Sequence, residues 1–315
     1  WKRGITLAYL SSLKRYWEEE WSYARLLEKL ERYRHYTVEI EEVDVQFVHV
    51  RSPREDAVPL LLCHGWPEKV LEFQKVVKPL SEPDEPAASA FHLVIPSLAG
   101  FIFSGPQPLE PRRYWEGVQY AYDGEVPRLG RQQLPSTVRG GCGYGRPVLV
   151  DWHDPQLRDD VLREPVRPRR MASYAKTWQG GNQCLPMGYS VFTRTASTTV
   201  GYALYDSPLG TLSWIGEKYH GWVDNNHPLP LEEIVDTAAL YHLKGTFHTS
   251  ALTYYENRHG VSTRLPGQKH GKTAISAFRY DILYSPERWS KRFADVVFYK
   301  CHPAGGHFAA LEQPE

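Results

Sequence analysis

Cysteine is scarce in this chain and never paired at metal-ligand spacing. The four residues of that type, Cys63, Cys142, Cys184 and Cys301, form no CxxC. A structural zinc site and a disulfide scaffold are therefore both disfavoured, and a reducing compartment is expected. Long apolar runs are missing too. No window approaches the ~20 apolar residues a membrane span needs, and stretches such as Leu60–Cys63 and Phe91–Ile95 have the length of strands. Ile5–Leu10 is too short for a secretory leader and runs straight into charge. A cytoplasmic location is the expectation. The chain opens with Trp1 and stops at Glu315 in mid-pattern, which leaves open membrane association through a segment outside it. Excess charge of either sign is absent as well. The 37 Lys+Arg balance 37 Asp+Glu, which argues against a salt-sensitive nucleic-acid binder and against an acidic solvating protein. There is no internal repeat and no low-complexity linker.

What is present is core-forming material. Hydrophobic residues make up 42% of the 315 and aromatics 13%, enough for one large catalytic domain with an insertion. Leu13, Trp17, Trp21, Leu26, Leu27 and Leu30 recur at helical spacing, predicting one helix over 13–31. The period then changes to two. Thr37–Ile40 and Val43–Val50 read as the arms of an antiparallel hairpin. Val58–Cys63 and Phe91–Ile95 read as buried strands. Each is followed by a Gly/Pro loop, and the amphipathic stretch Val70–Leu80 lies between them, which makes a βαβ unit. From about 105 to 175 the text is rich in Arg, Pro and Gly, with only Thr137-Val138 and Pro147–Val150 as candidate strands. Helices are expected over Tyr202–Ile215, over Leu231–Leu243 with Pro230 in the first turn, and over Thr246–Tyr255. A last strand is expected over 294–300.

Four groups of residues could carry chemistry. His64-Gly65-Trp66-Pro67 follows a buried strand, where α/β sheets bind ligands, and its glycine permits a sharp turn that aims backbone N–H groups at one point. Gly305-Gly306-His307-Phe308 follows the last strand and presents an imidazole, whose ordinary pKa suits proton transfer near neutrality. Asp281 precedes that histidine, in the chain order nucleophile, acid, histidine. Among the twenty tyrosines, Tyr189 and Tyr254 stand out only through the resemblance that follows.

Together these stretches resemble the α/β-hydrolase-fold epoxide hydrolases of the microsomal-type branch. His64–Pro67 looks like the family's HGWP loop, and Pro96-Ser97-Leu98-Ala99-Gly100-Phe101-Ile102-Phe103-Ser104 is similar to PSLPGFGFS. Gly201-Tyr202-Ala203-Leu204-Tyr205-Asp206-Ser207-Pro208 resembles GYAL-DSP, and Gly305–Glu312 looks like GGHFAALE. The resemblance implies a central, mostly parallel sheet flanked by helices, with an α-helical cap and an N-terminal meander. Its parts would be 1–50 (helical/hairpin region), 51–175 (core, first part), 176–265 (cap) and 266–315 (core, last part). It implies that a carboxylate opens the epoxide to an alkyl-enzyme ester while Tyr189 and Tyr254 bond the ring oxygen. His307, oriented by Asp281, then activates water, and the Trp66/His64 loop supplies an oxyanion hole. Neither metal nor cofactor is implied. The partners are a small apolar epoxide and water, with no nucleic acid, and a homodimer is left open.

The nucleophile departs from the family pattern GGDWG. In Gly140-Gly141-Cys142-Gly143-Tyr144-Gly145 one register puts Cys142 in the nucleophile position and the other puts Gly143 there. Asp151-Trp152, the chain's only Asp-Trp pair, is a third candidate, although Leu149 and His153 are large for a strained elbow. Ala99 and Ile102 stand where the family favours Pro and Gly, and Ile102 is expected to crowd the pocket. The alternatives to an epoxide hydrolase are an ester or thioester hydrolase using Cys142, and a catalytically inactive ligand-binding member of the fold.

Overall fold

The computed structural model describes residues 4–40, 42–106, 188–256, 272–282, 286–291 and 295–314. The candidate strands Thr137-Val138 and Pro147–Val150 lie outside the described residues.

The chain enters through α1 (Leu7–Glu19) and α2 (Tyr23–Glu31). One continuous helix was expected here. The break falls at Glu20–Ser22, because Ser22 caps the second helix by accepting from Arg25 N. Trp21 in the break points back into the protein, where its indole N–H donates to Asp236 at 2.8 Å. Lys29 reaches the other oxygen of the same carboxylate at 2.7 Å. One buried aspartate thus ties α2 and the turn before it to the helical block described below.

Strands β1 (His35–Ile40) and β2 (Val43–Val50) form the expected antiparallel hairpin. β3 (Val58–Leu61) and β4 (Phe91–Pro96) are parallel neighbours. The sheet order is β1-β2-β4-β3, with β2 antiparallel to β4. The connection between β3 and β4 is less regular than its periodicity suggested. It is a single 3-10 turn at Val70–Phe73 followed by the short helix α3 (Val77–Ser81).

The helical block comprises α4 (Gly188–Asp206), α5 (Pro208–Trp222), α6 (Leu231–Lys244) and α7 (Phe247–Glu256). The helix expected over Tyr202–Ile215 is two helices. Pro208 lacks an N–H and pushes the residue before it out of helical geometry, and Ser207 caps α5 by accepting from Gly210 N at 2.9 Å. Pro230 does not lie in the first turn of α6 but just before it, with an extended ψ of 146°. α4 is kinked at Ala196, where φ is −141° and ψ is 41°. Thr193 and Thr195 bond back to the carbonyls of Tyr189 and Val191, and such back-bonding bends helices. The kink sets the direction of the Tyr189 turn apart from that of the Gly201 segment.

The last part adds β5 (Lys272–Phe278), which was not anticipated, then α8 (Glu287–Ser290), β6 (Asp295–His302) and α9 (Ala309–Glu312). β5 and β6 are parallel. One core runs through sheet and helices, with Leu13, Trp66, Leu93, Leu212, Ile215, Val235, Tyr241 and Phe308 essentially sealed from solvent. Each such side chain contributes about 1.5–3 kcal/mol by leaving water. Among the described residues no helix is long and apolar enough to cross a membrane.

Candidate active site

Three of the predicted groups sit just past the carboxyl ends of parallel strands: the His64–Pro67 turn after β3, Asp281 after β5 and His307 after β6. That is where open α/β sheets gather their chemistry.

The first turn is held by its own side chains. His64 is fully buried. Leu98 N donates to its Nε2 at 3.2 Å, so Nδ1 carries the proton and donates to the Gly65 carbonyl at 2.9 Å. Burial drives its pKa down to about 4 and keeps the ring neutral. Both ring nitrogens therefore serve the backbone. The imidazole pins the β3 loop to the β4 loop, while the oxyanion hole expected of this turn would be made by its backbone N–H groups. Glu68, which follows the cis Trp66–Pro67 bond, accepts from Gly65 N at 2.5 Å. Ile102, expected to crowd the pocket, is buried in the neighbouring loop with a left-handed φ of 30°.

Trp66 is the centre of an aromatic box. Its ring lies flat on Tyr189, with centroids 5.4 Å apart and planes within 2°. It meets Tyr254 edge-on at 5.4 Å and Phe247 at 5.9 Å. Its indole N–H donates to Ser250, one turn before Tyr254 on α7. The Tyr189 and Tyr254 hydroxyls are 3.4 Å apart. Burial pushes the Tyr189 phenol above its ordinary pKa, offset in part by the Tyr254 hydrogen bond and the Arg194 charge.

Trp222 connects this box to the histidine. Its ring is 5.0 Å from Tyr189 and, nearly perpendicular, 5.0 Å from His307. The His307 side chain is only 3% exposed, and Nδ1 donates to Asp281 Oδ1 at 2.9 Å. Burial alone would lower its pKa. The charge and hydrogen bond of Asp281, with smaller contributions from Glu68 and Glu312, outweigh burial and raise it above 6.5.

The two glycines before His307 have separate reasons. Gly305 has φ 87°, which a side chain rarely adopts. Any Cβ on Gly306 would overlap the Trp222 carbonyl. The loop is clamped to the end of α5: His307 N donates to Trp222 O at 2.8 Å and Gly305 N to Asp224 Oδ2 at 3.2 Å. The Glu312 carboxylate bridges Phe308 N at 3.0 Å and Asp224 N at 2.7 Å.

His307, Asp281, Trp66, Tyr189 and Tyr254 therefore form one connected cluster. Cys142 and Asp151 lie outside the described residues. Cys63 is not a nucleophile candidate, since burial pushes its thiol up to about 12. Sequence reasoning missed Trp222, Asp224, Glu312 and Lys218. Glu312 stood in the quoted histidine-loop motif, and Trp214, Lys218 and Trp222 share one face of α5 at i, i+4, i+8, a signal that could have found them.

A histidine–aspartate pair at the carboxyl ends of parallel strands, covered by helices, defines an α/β hydrolase. The profile of the epoxide hydrolase N terminus matches residues 1–73. A protein of Stigmatella aurantiaca described as "Putative epoxide hydrolase" is 32% identical over 339 residues, covering 100% of this chain and 74% of the relative. Epoxide hydrolase 1 of Sus scrofa is 28% identical over 361 residues, covering 99% and 78%. A solved mutant epoxide hydrolase of Aspergillus niger superposes with a TM-score of 0.77 at 29% identity, covering 99% of this chain and 83% of that one. The chain belongs to the epoxide hydrolase family.

Proposed function

We propose that the protein converts a small apolar epoxide and water to a vicinal diol through an alkyl-enzyme ester. The observation that carries this reading is the placement of two tyrosine hydroxyls 3.4 Å apart on the same aromatic wall that leads through Trp222 to His307. A pair of phenolic O–H groups is suited to one oxygen atom that becomes an alkoxide.

A carboxylate oxygen attacks a ring carbon, and the C–O bond of the epoxide breaks. Its electron pair goes to the ring oxygen, which takes its proton from one of the two phenols. This leaves a hydroxyalkyl ester. His307 then removes a proton from water, and the hydroxide adds to the ester carbonyl. Backbone N–H groups, one of them from Trp66, steady the tetrahedral oxyanion. Collapse expels the diol oxygen, which takes the proton held by His307, and the carboxylic acid so formed returns its proton to the phenolate, restoring carboxylate, imidazole and phenol. Asp281 holds the imidazole in the tautomer whose Nε2 can accept a proton from water and stabilises the cation that forms. The helices between 188 and 256 act as the cap in this reading, since both tyrosines come from them. The aromatic lining favours an apolar substrate. The cytoplasmic placement rests on the cysteine pattern, and a homodimer is the assembly to test by solution mass.

Asp151 is the carboxylate we assign as nucleophile, because chemistry disfavours Cys142. A thiolate opening an epoxide yields a thioether, which has no carbonyl for water to attack. The test is turnover in oxygen-labelled water followed by peptide mass spectrometry. Label in the carboxylate of the Asp151 peptide supports the assignment, and Asp151→Asn should abolish turnover. Diol formed with no label in that peptide overturns it. Acylation of Cys142 by an activated ester, lost in Cys142→Ala, would favour the cysteine hydrolase instead. Binding of epoxide or diol by folded protein without turnover would favour the inactive member of the fold.

A further inference from the structure

Lys218 has no part in the reaction as written, yet its ammonium group is buried inside the cap against the wall of the site. Its side chain is 5% exposed. Nζ sits 5.3 Å from the centroid of the Tyr189 ring and 4.6 Å from that of Trp214. Glu217 is its ion-pair partner, and that carboxylate is 38% exposed. Burying an ammonium is costly unless something answers its charge. Here the answer comes from one half-exposed carboxylate and two aromatic faces.

We infer that Lys218 is a positioning residue that holds a positive charge over the face of Tyr189 and makes that phenol, rather than Tyr254, the stronger donor to the opening epoxide oxygen. The inference rests on the tyrosine role proposed above. The physics is asymmetric. As the O–H bond lengthens toward the alkoxide, negative charge flows into the Tyr189 ring, and a cation over that face stabilises it. Tyr254 meets Trp66 edge-on, and its hydroxyl is paired with that of Tyr189.

The groups facing Tyr189 bear this out. From α5 come Lys218 and the neutral Trp222; from the β3 loop, the neutral Trp66; from α7, the hydroxyl of Tyr254. From α4 itself comes the charge of Arg194. His307 stands on the far side of Trp222. The negative charge of Glu217 is partly screened by water, so the ammonium 5.3 Å from the ring centre acts on Tyr189 beside the charge of Arg194. Burial lowers the pKa of Lys218, with the charge and hydrogen bond of Glu217 working against that.

The test uses protein carrying fluorotyrosine, with the Tyr189→Phe protein subtracted to isolate one ionisation. Lys218→Met should raise the Tyr189 transition by about one pH unit, lower kcat by about tenfold and leave KM unchanged. Lys218→Arg should keep both within about threefold of the parent. Lys218→Gln makes the same neutral comparison if the methionine variant does not fold. An unmoved Tyr189 transition in the neutral variants overturns the inference, as do neutral and arginine variants with equal loss of kcat. A packing role alone would lower Tm without moving the transition. The titration needs no turnover, so it reads Lys218 even if no epoxide is hydrolysed.

Discussion

His307 and Trp222 are joined twice. The backbone N–H of the histidine donates to the tryptophan carbonyl at 2.8 Å, and the two rings meet at 80° with centroids 5.0 Å apart. Trp222 ends the helix that also carries Lys218, and it touches Tyr189. His307 is thus positioned by the helix that also carries Lys218 and touches Tyr189, and displacing one should displace the other.

The first prediction tests that joint. Gly306→Ala places a methyl against the Trp222 carbonyl and the Val223 backbone, neither of which can give way like a flexible side chain. The expected cost is about 1–3 kcal/mol of stability, with kcat lowered at least about tenfold through displacement of His307. Chemical denaturation and steady-state kinetics check the two effects. Parental values for both would show that the loop tolerates separation from α5.

The second concerns pH. Asp281 raises the His307 pKa above 6.5, and the imidazole acts as a base only when neutral. The activity of the parent should therefore rise with pH through a value above 6.5. In Asp281→Asn the carboxylate charge is gone while burial remains, so the limb should move to lower pH, and the rate should fall by about 10²–10⁴-fold from loss of the oriented tautomer. Stability runs in the opposite direction to activity. The charged pair stabilises the fold below the unfolded pKa of histidine, and that contribution is lost as pH rises through the raised folded value. A pH–rate profile whose acid limb does not move in the variant would contradict this.

The third concerns the helices that carry the tyrosines. α4 and α7 touch at Gly201 and His248, where any added Cβ would overlap the His248 side chain and crowd its backbone. Gly201→Ala should push the helices apart and open the 3.4 Å hydroxyl pair. We expect kcat to fall about fivefold to fiftyfold with little change in global fold. Circular dichroism alongside kinetics separates that outcome from simple unfolding.

The parts of this site legible in the sequence are those written locally. The His64–Pro67 turn, the Gly305–His307 loop and the β1–β2 hairpin each depend on residue types at fixed short spacing, and each lies where its pattern predicts. The α1/α2 and α4/α5 breaks were missed because apolar periodicity runs straight through Trp21 and Leu204, while the determinants are capping by Ser22 and Ser207 and the ring of Pro208. β5 was missed because its small residues Thr273, Ala274, Ser276 and Ala277 give little hydropathy contrast, although its burial alternates along the strand. Trp222, Asp224 and Glu312 act through backbone groups far away in the chain, which no periodicity encodes. His64 shows the converse. Its motif put it in the expected oxyanion loop without giving the ring's partners, and the bond from Leu98 N shows that the ring serves the backbone.

The central claim is that the Tyr189–Tyr254 pair and His307 serve a single epoxide. The most direct measurement is single-turnover kinetics of a styrene-oxide-type substrate with the parent, Tyr189→Phe/Tyr254→Phe and His307→Gln proteins. The account predicts that the double tyrosine variant is slowed at least about 10²-fold in ring opening, and that the histidine variant opens the ring but accumulates the ester without releasing diol. Diol formation at the parental rate by either folded variant would contradict it.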